Sequence, residues 1–174
     1  YVSNALIGLP KAQASGGSAA NTIHGLANLG IQTGFIGKVG NDDLGSFFKH
    51  DMEQFNIFPH LFYSDKNKSG HCTSLISADS ERTMATYLGA AVELNVEDLT
   101  ESLFDNYQYF HVEGYLIQNV ELIESALKMA KTKGLKISLD LASYNVVEAN
   151  LATITRLVDE YVDILFANEE EAKS

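Results

Sequence analysis

Five places in the chain carry side chains, or conspicuously lack them, in ways that could serve chemistry. In SGGSAANTIHGLANLG, Gly16 and Gly17 stand directly before a run with helical spacing. Glycine has no Cβ, so a ligand could touch the backbone there, and a helix start offers free N–H groups to polar ligand atoms. Asn21, one turn on, carries an amide that donates and accepts, which suits sugar hydroxyls. The ordinary alternative is a flexible lead into a helix. The stretch is not a Walker A loop, because no Gly-Lys-Ser/Thr follows, and it is not a GxGxxG loop after a strand.

The second place is NEEE, Asn168 to Glu171, directly after the apolar run VDILFA. Ligands of open α/β sheets bind beyond the carboxyl ends of the strands. Glu171 could not hold a phosphate directly, since two like charges at about 4 Å repel by roughly 4 kcal/mol at an effective dielectric near 20. It could hold Mg²⁺ or its waters, and the ion would then meet the phosphates. The ordinary alternative is an acidic first turn of a helix, which the helix dipole favours. Asp140 ends another strand-like run, LKISLD, and is either a turn residue or a site carboxylate. Arg82 follows a polar turn and reads on spacing alone as a surface charge. Glu113, in HVEGY, faces either a cleft or solvent. The five histidines show no metal-binding spacing, His71 and Cys72 are adjacent and so point to opposite faces of a strand, and no serine sits in a GxSxG elbow.

These residues need elements to position them. Ser15 or Ser18 caps a helix running to about Asn28, with Gly30 as its stop. QTGFIGKVG reads as a strand. NDD is a turn that caps the next helix, where Leu44, Phe47, Phe48, Met52 and Phe55 share a face. FPHLFYS and the two strands around the polar turn ADSE read as a small antiparallel insertion over residues 58–88. Asn95 and Asp98 open a helix before VEDLTESLF. From Tyr107 onward the order is strand, helix, strand, helix, strand: YQYFHVEG, the helix NVELIESALKMAKTKG with Val120, Ile123, Leu127 and Ala130 on one stripe, LKISLDL, EANLATITRLVDEY and VDILFAN. Such alternation implies parallel strands.

The bulk numbers exclude several classes. A chain of 174 residues with 45% hydrophobic and 20% charged residues has material for a real core. A net charge of −11 argues against a nucleic-acid surface. No run of about 18 apolar residues is present to span a membrane. Residues 1–13 hold one lysine and no long apolar run, so they do not read as a signal peptide. Cys72 is the single cysteine, which allows no internal disulfide and fits a reducing, cytoplasmic setting.

Taken jointly, the pieces resemble the PfkB family of sugar and nucleoside kinases. SGGSAANTIHGLANLG followed by FIGKVGNDDLGSFF is similar to that family's N-terminal signature. SGHCTSLISADSERTMATYLGAA resembles its lid strands, and YVDILFANEEEA its NxxE segment. Within the family, adenosine kinases are the most similar; ribokinases typically carry a lysine where this chain has Ser18. The resemblance implies a ribokinase-like α/β fold, a doubly wound and mostly parallel sheet with a small antiparallel β lid at about 58–88. It implies ATP and Mg²⁺ as cofactors, transfer of the γ-phosphate to a primary hydroxyl, and a small-molecule nucleoside or sugar as acceptor. Gly16, Gly17 and Asn21 would contact the sugar. Arg82 would reach from the lid toward the transferring phosphate, and Asn168 and Glu171 would organise Mg²⁺ and phosphates through water. The family's GAGD segment, with the catalytic base, and most of its nucleotide pocket are not in these residues. Nor is its first strand with a substrate-binding aspartate. The expectation is therefore an incomplete domain, inactive alone, within a kinase that is a monomer or a lid-mediated dimer. A ribokinase- or fructokinase-type enzyme and a non-catalytic sugar-binding module of the same fold are the competing readings.

Overall fold

The structure is a computed structural model and describes residues 12–174. Residues 1–11, most of the segment read above as no signal peptide, lie outside the described residues.

SAANTIHGLAN winds into α1 (Ser18–Asn28), which turns Ala20 inward. Neither Ser15 nor Ser18 caps it, against expectation. Gly17 holds the N-cap position with no side-chain hydrogen bond, at φ 104° and ψ 146°, where a Cβ is strongly disfavoured. β1 (Thr33–Gly40) follows, and then α2 (Asp43–Gln54), capped as expected by Asp42. Of the expected α2 stripe, Met52 is fully buried while Leu44 and Phe55 are exposed.

β2 (Ile57–Ser64) pairs with β1 in parallel, from Thr33↔Ile57 to Gly40↔Ser64. That corrects the insertion read at 58–88. Only β3 (His71–Ile76) and β4 (Arg82–Tyr87) are antiparallel, in register from His71↔Tyr87 to Ile76↔Arg82. The physical reason was present in the spacing: α2 lies between β1 and β2 and supplies the crossover that parallel neighbours require. The helix expected after Asn95 is broken into two 3₁₀ turns, Val96–Asp98 and Glu101–Phe104, with extended backbone at the buried Leu99 between them. The Asn95/Asp98 capping box itself forms.

β5 (Tyr109–Glu113), α3 (Val120–Thr132), β6 (Lys136–Asp140), α4 (Tyr144–Tyr161), β7 (Ile164–Phe166) and α5 (Glu169–Lys173) complete the chain. The strands run parallel in the order β5-β6-β7. α4 starts at Tyr144 instead of Glu148, because Ser143 accepts from the Val146 N–H and caps it there. It bends at Asn150, whose φ is −133°.

The main core gathers Leu122, Ile123, Ala126, Leu127 and Ala130 of α3, Ile137 and Leu139 of β6, and Val147, Ile154 and Leu157 of α4. The α3 stripe is thus rotated from expectation: Val120 is exposed and Leu122 and Ala126 replace it. A smaller cluster of Ala20, Met52 and Ile57 sits under α1 and α2. The parallel strands form two ladders, not one, among the described residues. Ile36 of β1 and Phe62 of β2 pack against the main core and join the two sheets. Tyr107 adds to that seam: its hydroxyl sits over Gly34 and hydrogen-bonds His60 Nε2 at 3.1 Å.

Candidate active site

At the start of α1 the two glycines differ. Gly17 needs its positive φ. Gly16 does not, and among the described residues a Cβ built on either would meet nothing within 4 Å. The packing of the described residues therefore gives no reason for glycine at position 16. Asn21 N–H donates to the Gly17 carbonyl at 2.9 Å, which closes the first turn. The Asn21 side chain is exposed and its amide has no hydrogen-bond partner among the described residues. The short link 29–32 ties the end of α1 to the start of β1, and the helix packs along that strand. The glycine pair consequently lies toward the carboxyl end of β1.

A second group stands at the tips of the other sheet. Glu113, Asp140 and Phe166 are in register across β5, β6 and β7, so the three tips span about 10 Å. Asp140 accepts from the Ala142 N–H at 2.8 Å, a turn contact, and remains half-buried. Glu113 is 8% exposed, and His111 Nε2 lies 3.5 Å from its carboxylate. The His111 Nδ1 meets Ser138 Oγ at 3.0 Å.

Asn168 and Glu171 form a reciprocal cap on α5. Asn168 Oδ1 accepts from the N–H groups of Glu170 and Glu171, both at 2.9 Å. Glu171 accepts at one oxygen from the Asn168 N–H, at 2.9 Å, and at the other from Asn168 Nδ2, at 2.8 Å. Glu171 is 7% exposed. The ordinary reading of NEEE as a helix start is therefore correct as far as it goes. The same bonds also fix the orientation of a buried carboxylate, which is what a metal-organising role needs. Among the described residues no three His, Cys, Asp or Glu side chains gather as a metal cluster. A divalent ion at these tips would have to be held by one or two protein oxygens, waters and phosphate, which is how Mg²⁺ is ordinarily bound. The hard oxygen donors of Asp140, Asn168 and Glu171 fit that ion.

Arg82 opens β4 beside the hairpin turn, exposed and without an ion-pair partner among the described residues. No hydrogen bond or ion pair links it, or the glycine pair, to Asn168 and Glu171 among those residues. Two hollows, of about 510 and 600 Å³, lie near Lys49 and His50 and near Lys38 and Glu93, and none of the expected site residues lines them.

One arrangement of buried polar groups escaped the sequence reading. Asp42 caps α2 through the Gly45 N–H at 2.9 Å and also accepts from Ser69, at Oδ2 from its N–H at 2.9 Å and at Oδ1 from its hydroxyl at 2.6 Å. The Ser69 hydroxyl bond, with the two backbone N–H groups, holds the Asp42 carboxyl below the usual range against the opposing effect of burial. The NDD turn signalled the cap, but nothing local signalled Ser69, which is 27 residues away.

Among solved structures, the adenosine kinase of Sinorhizobium meliloti is 33% identical with a TM-score of 0.84 over 94% of this chain. A probable sugar kinase from Rhizobium etli CFN 42 is 32% identical with a TM-score of 0.86 over 98% of it. This is the ribokinase-like class of α/β folds, with parallel sheets and a small antiparallel pair. A 5-dehydro-2-deoxygluconokinase of Clostridium beijerinckii is 29% identical over 90% of the chain. The chain spans about half the length of these relatives, 51%, 53% and 49% respectively. Residues 12–174 match the pfkB family of carbohydrate kinases, and the chain belongs to that family. Among the described residues no helix is long and apolar enough to cross a membrane.

Proposed function

We propose that the whole protein transfers the γ-phosphate of ATP to a primary hydroxyl of a nucleoside or sugar, with an adenosine-type nucleoside as the preferred acceptor. The observation that carries this reading is the start of α1: among the described residues nothing stands over Gly16, Gly17 holds a positive φ that favours glycine, and the Asn21 amide has no partner. A sugar ring can lie on that bare backbone, with Asn21 donating to and accepting from its hydroxyls. The free N–H groups of the first helical turn face the same space and favour electron-rich oxygens. Phosphoryl transfer asks mainly for positioning and charge stabilisation, so fixed groups of this kind are sufficient equipment on the acceptor side.

On the phosphate side, Asn168 and Glu171, with Asp140 beside them, would hold Mg²⁺ or its waters. The ion, when bound, supplies neutralisation of the phosphate charge. Glu171 is suited because its two oxygens are already oriented by Asn168. Arg82 would approach from the hairpin and complement negative charge on the transferring group. The hairpin, once closed over the acceptor, would exclude water, which otherwise competes for the phosphoryl group.

A sugar in place of a nucleoside is the second reading. It is favoured by the similarity to a 5-dehydro-2-deoxygluconokinase and a probable sugar kinase. ADP release by the whole protein, measured with adenosine, ribose and fructose as acceptors, tests both. Turnover with adenosine supports the preferred reading; turnover with a sugar alone replaces it by the second. No turnover with any of the three, together with no thermal shift by any of them, overturns both.

A further inference from the structure

The hairpin β3–β4 stands almost entirely free of the body. Every residue of both strands is exposed except Thr73, which is half-buried. Its side-chain hydrogen bonds stay within the hairpin and Ser69 among the described residues, as in Thr86 Oγ1 to Cys72 Sγ and His71 Nδ1 with the Ser69 carbonyl. What holds it is its stem. The two chain segments there touch backbone to backbone: the Ala90 N–H donates to the Lys68 carbonyl at 2.8 Å. A Cβ on Gly70 would stand 2.5 Å from the Leu88 carbonyl oxygen, and Gly89 turns with φ 53° against Lys68. The stem is in turn fastened to the body through Ser69, which is 3% exposed. Ser69 gives its N–H and its hydroxyl to Asp42, and its oxygen accepts from the Gly40 N–H at 2.9 Å. Because Asp42 also caps α2, its carboxylate ties the start of α2 to the root of the hairpin, and Ser69 carries the tie on to the end of β1.

We propose that Asp42 is a positioning residue that sets the angle of the hairpin and, through it, where Arg82 stands. The proposal rests on the phosphotransferase reading for its kinetic consequence and on the stem alone for its geometry. The lever is long. Arg82 is six residues from Leu88 along β4, and at about 3.3 Å per residue that is roughly 20 Å. A tilt of about 10° at the stem therefore displaces Arg82 by about 3.5 Å, more than a hydrogen bond tolerates. Beyond its root, where Ser64 also donates to Glu93 and Ala90 is buried, no side-chain hydrogen bond or ion pair ties the hairpin to the body among the described residues. Replacing Asp42 by asparagine exchanges one acceptor oxygen for an NH₂ group, which cannot accept from Ser69 or Gly45.

The test uses the whole protein. A spin label on Cys72 and another on Lys49→Cys of α2, with any cysteine outside these residues changed to serine, report the distance between hairpin and body by double electron–electron resonance. Asp42→Asn and, as a milder second variant, Ser69→Ala are expected to broaden that distribution. An unchanged distribution in Ser69→Ala, or in Asp42→Asn where it folds, overturns the proposal. Kinetics then decide whether the clamp acts through Arg82. Asp42→Asn is expected to lower kcat about ten-fold or more, with KM for the acceptor little changed, and to lower it no further in an Arg82→Ala background. Equal losses in both backgrounds mean that Asp42 acts through general stability, and that overturns the link to Arg82. Absence of any phosphotransfer by the unmodified whole protein counts against the proposed function, while the distance distribution still decides the clamp.

Discussion

The block built from β5, α3, β6, α4 and β7 and the hairpin β3–β4 are folded by opposite means. The block buries whole side chains: Ile123, Leu127, Ile137 and Leu157, with Phe104 of the preceding 3₁₀ turn packed into the same core, are each no more than 2% exposed. The hairpin leaves Ile76 at 70%, Met84 at 63% and Tyr87 at 44% exposed and depends on hydrogen bonds at one end. A two-stranded hairpin is marginal by itself. The difference teaches where rigidity resides: burial fixes the strand tips of the block, whereas the hairpin is fixed at one end only.

The contrast can be broken by substitution. Phe104→Ala, in the core of the block, is expected to cost about 3–5 kcal/mol in urea unfolding. A cost under about 1 kcal/mol would mean that the block is looser than its burial implies. Gly70→Ala, at the stem, should cost about 1–3 kcal/mol, since its Cβ would press on the Leu88 carbonyl. Asn168→Ala removes the α5 cap and should cost about 1 kcal/mol. If Asn168 also serves phosphate and metal, kcat of the whole protein falls by far more than that loss explains. A kcat change no larger than the stability change would return Asn168 to a structural role.

A smaller effect comes from pH and sharpens the comparison from the block's side. Glu124 hydrogen-bonds Lys128 and Arg156 and is held down to about 2 from 4.5; Asp163 takes the Ile137 N–H and Lys136 and is held down to about 2 from 3.8. Folded values below unfolded ones mean that the unfolded chain binds protons first. The contribution is complete above about pH 4.5 and is lost as pH falls toward 2. Thermal melts across that window should show a declining Tm, with a shallower decline in Asp163→Asn. Smallest of all, Ile76→Thr on the hairpin should change stability by no more than about 0.5 kcal/mol. A larger loss would show that the hairpin is covered in solution.

Much of this was legible in residue order. The alternation after Tyr107, the Asn95/Asp98 cap and the glycine stop at Gly30 follow from local chemistry, and the structure has them. What escaped depends on partners distant in sequence. FPHLFYS has the same alternation whether it pairs with β1 or with a hairpin, and only the crossover helix decides. The α3 stripe was misread by a fraction of a turn because Val120 and Leu122 are equally apolar, and contacts with the sheet choose between them. For the candidate site, Gly16, Gly17, Asn168 and Glu171 were visible as types and spacing. The double duty of Asp42 was not, since Ser69 approaches it only after the chain has passed through α2 and β2.

The seam at Tyr107 has a consequence of its own. The two ladders meet there through a phenol, an imidazole and the apolar side chains of Ile36 and Phe62, with no shared rungs among the described residues. Such a joint is riveted, not woven. Changing one rivet could pivot the half that begins with the glycine pair against the half that ends in Glu171, retuning the gap between them while both sheets keep every rung they have.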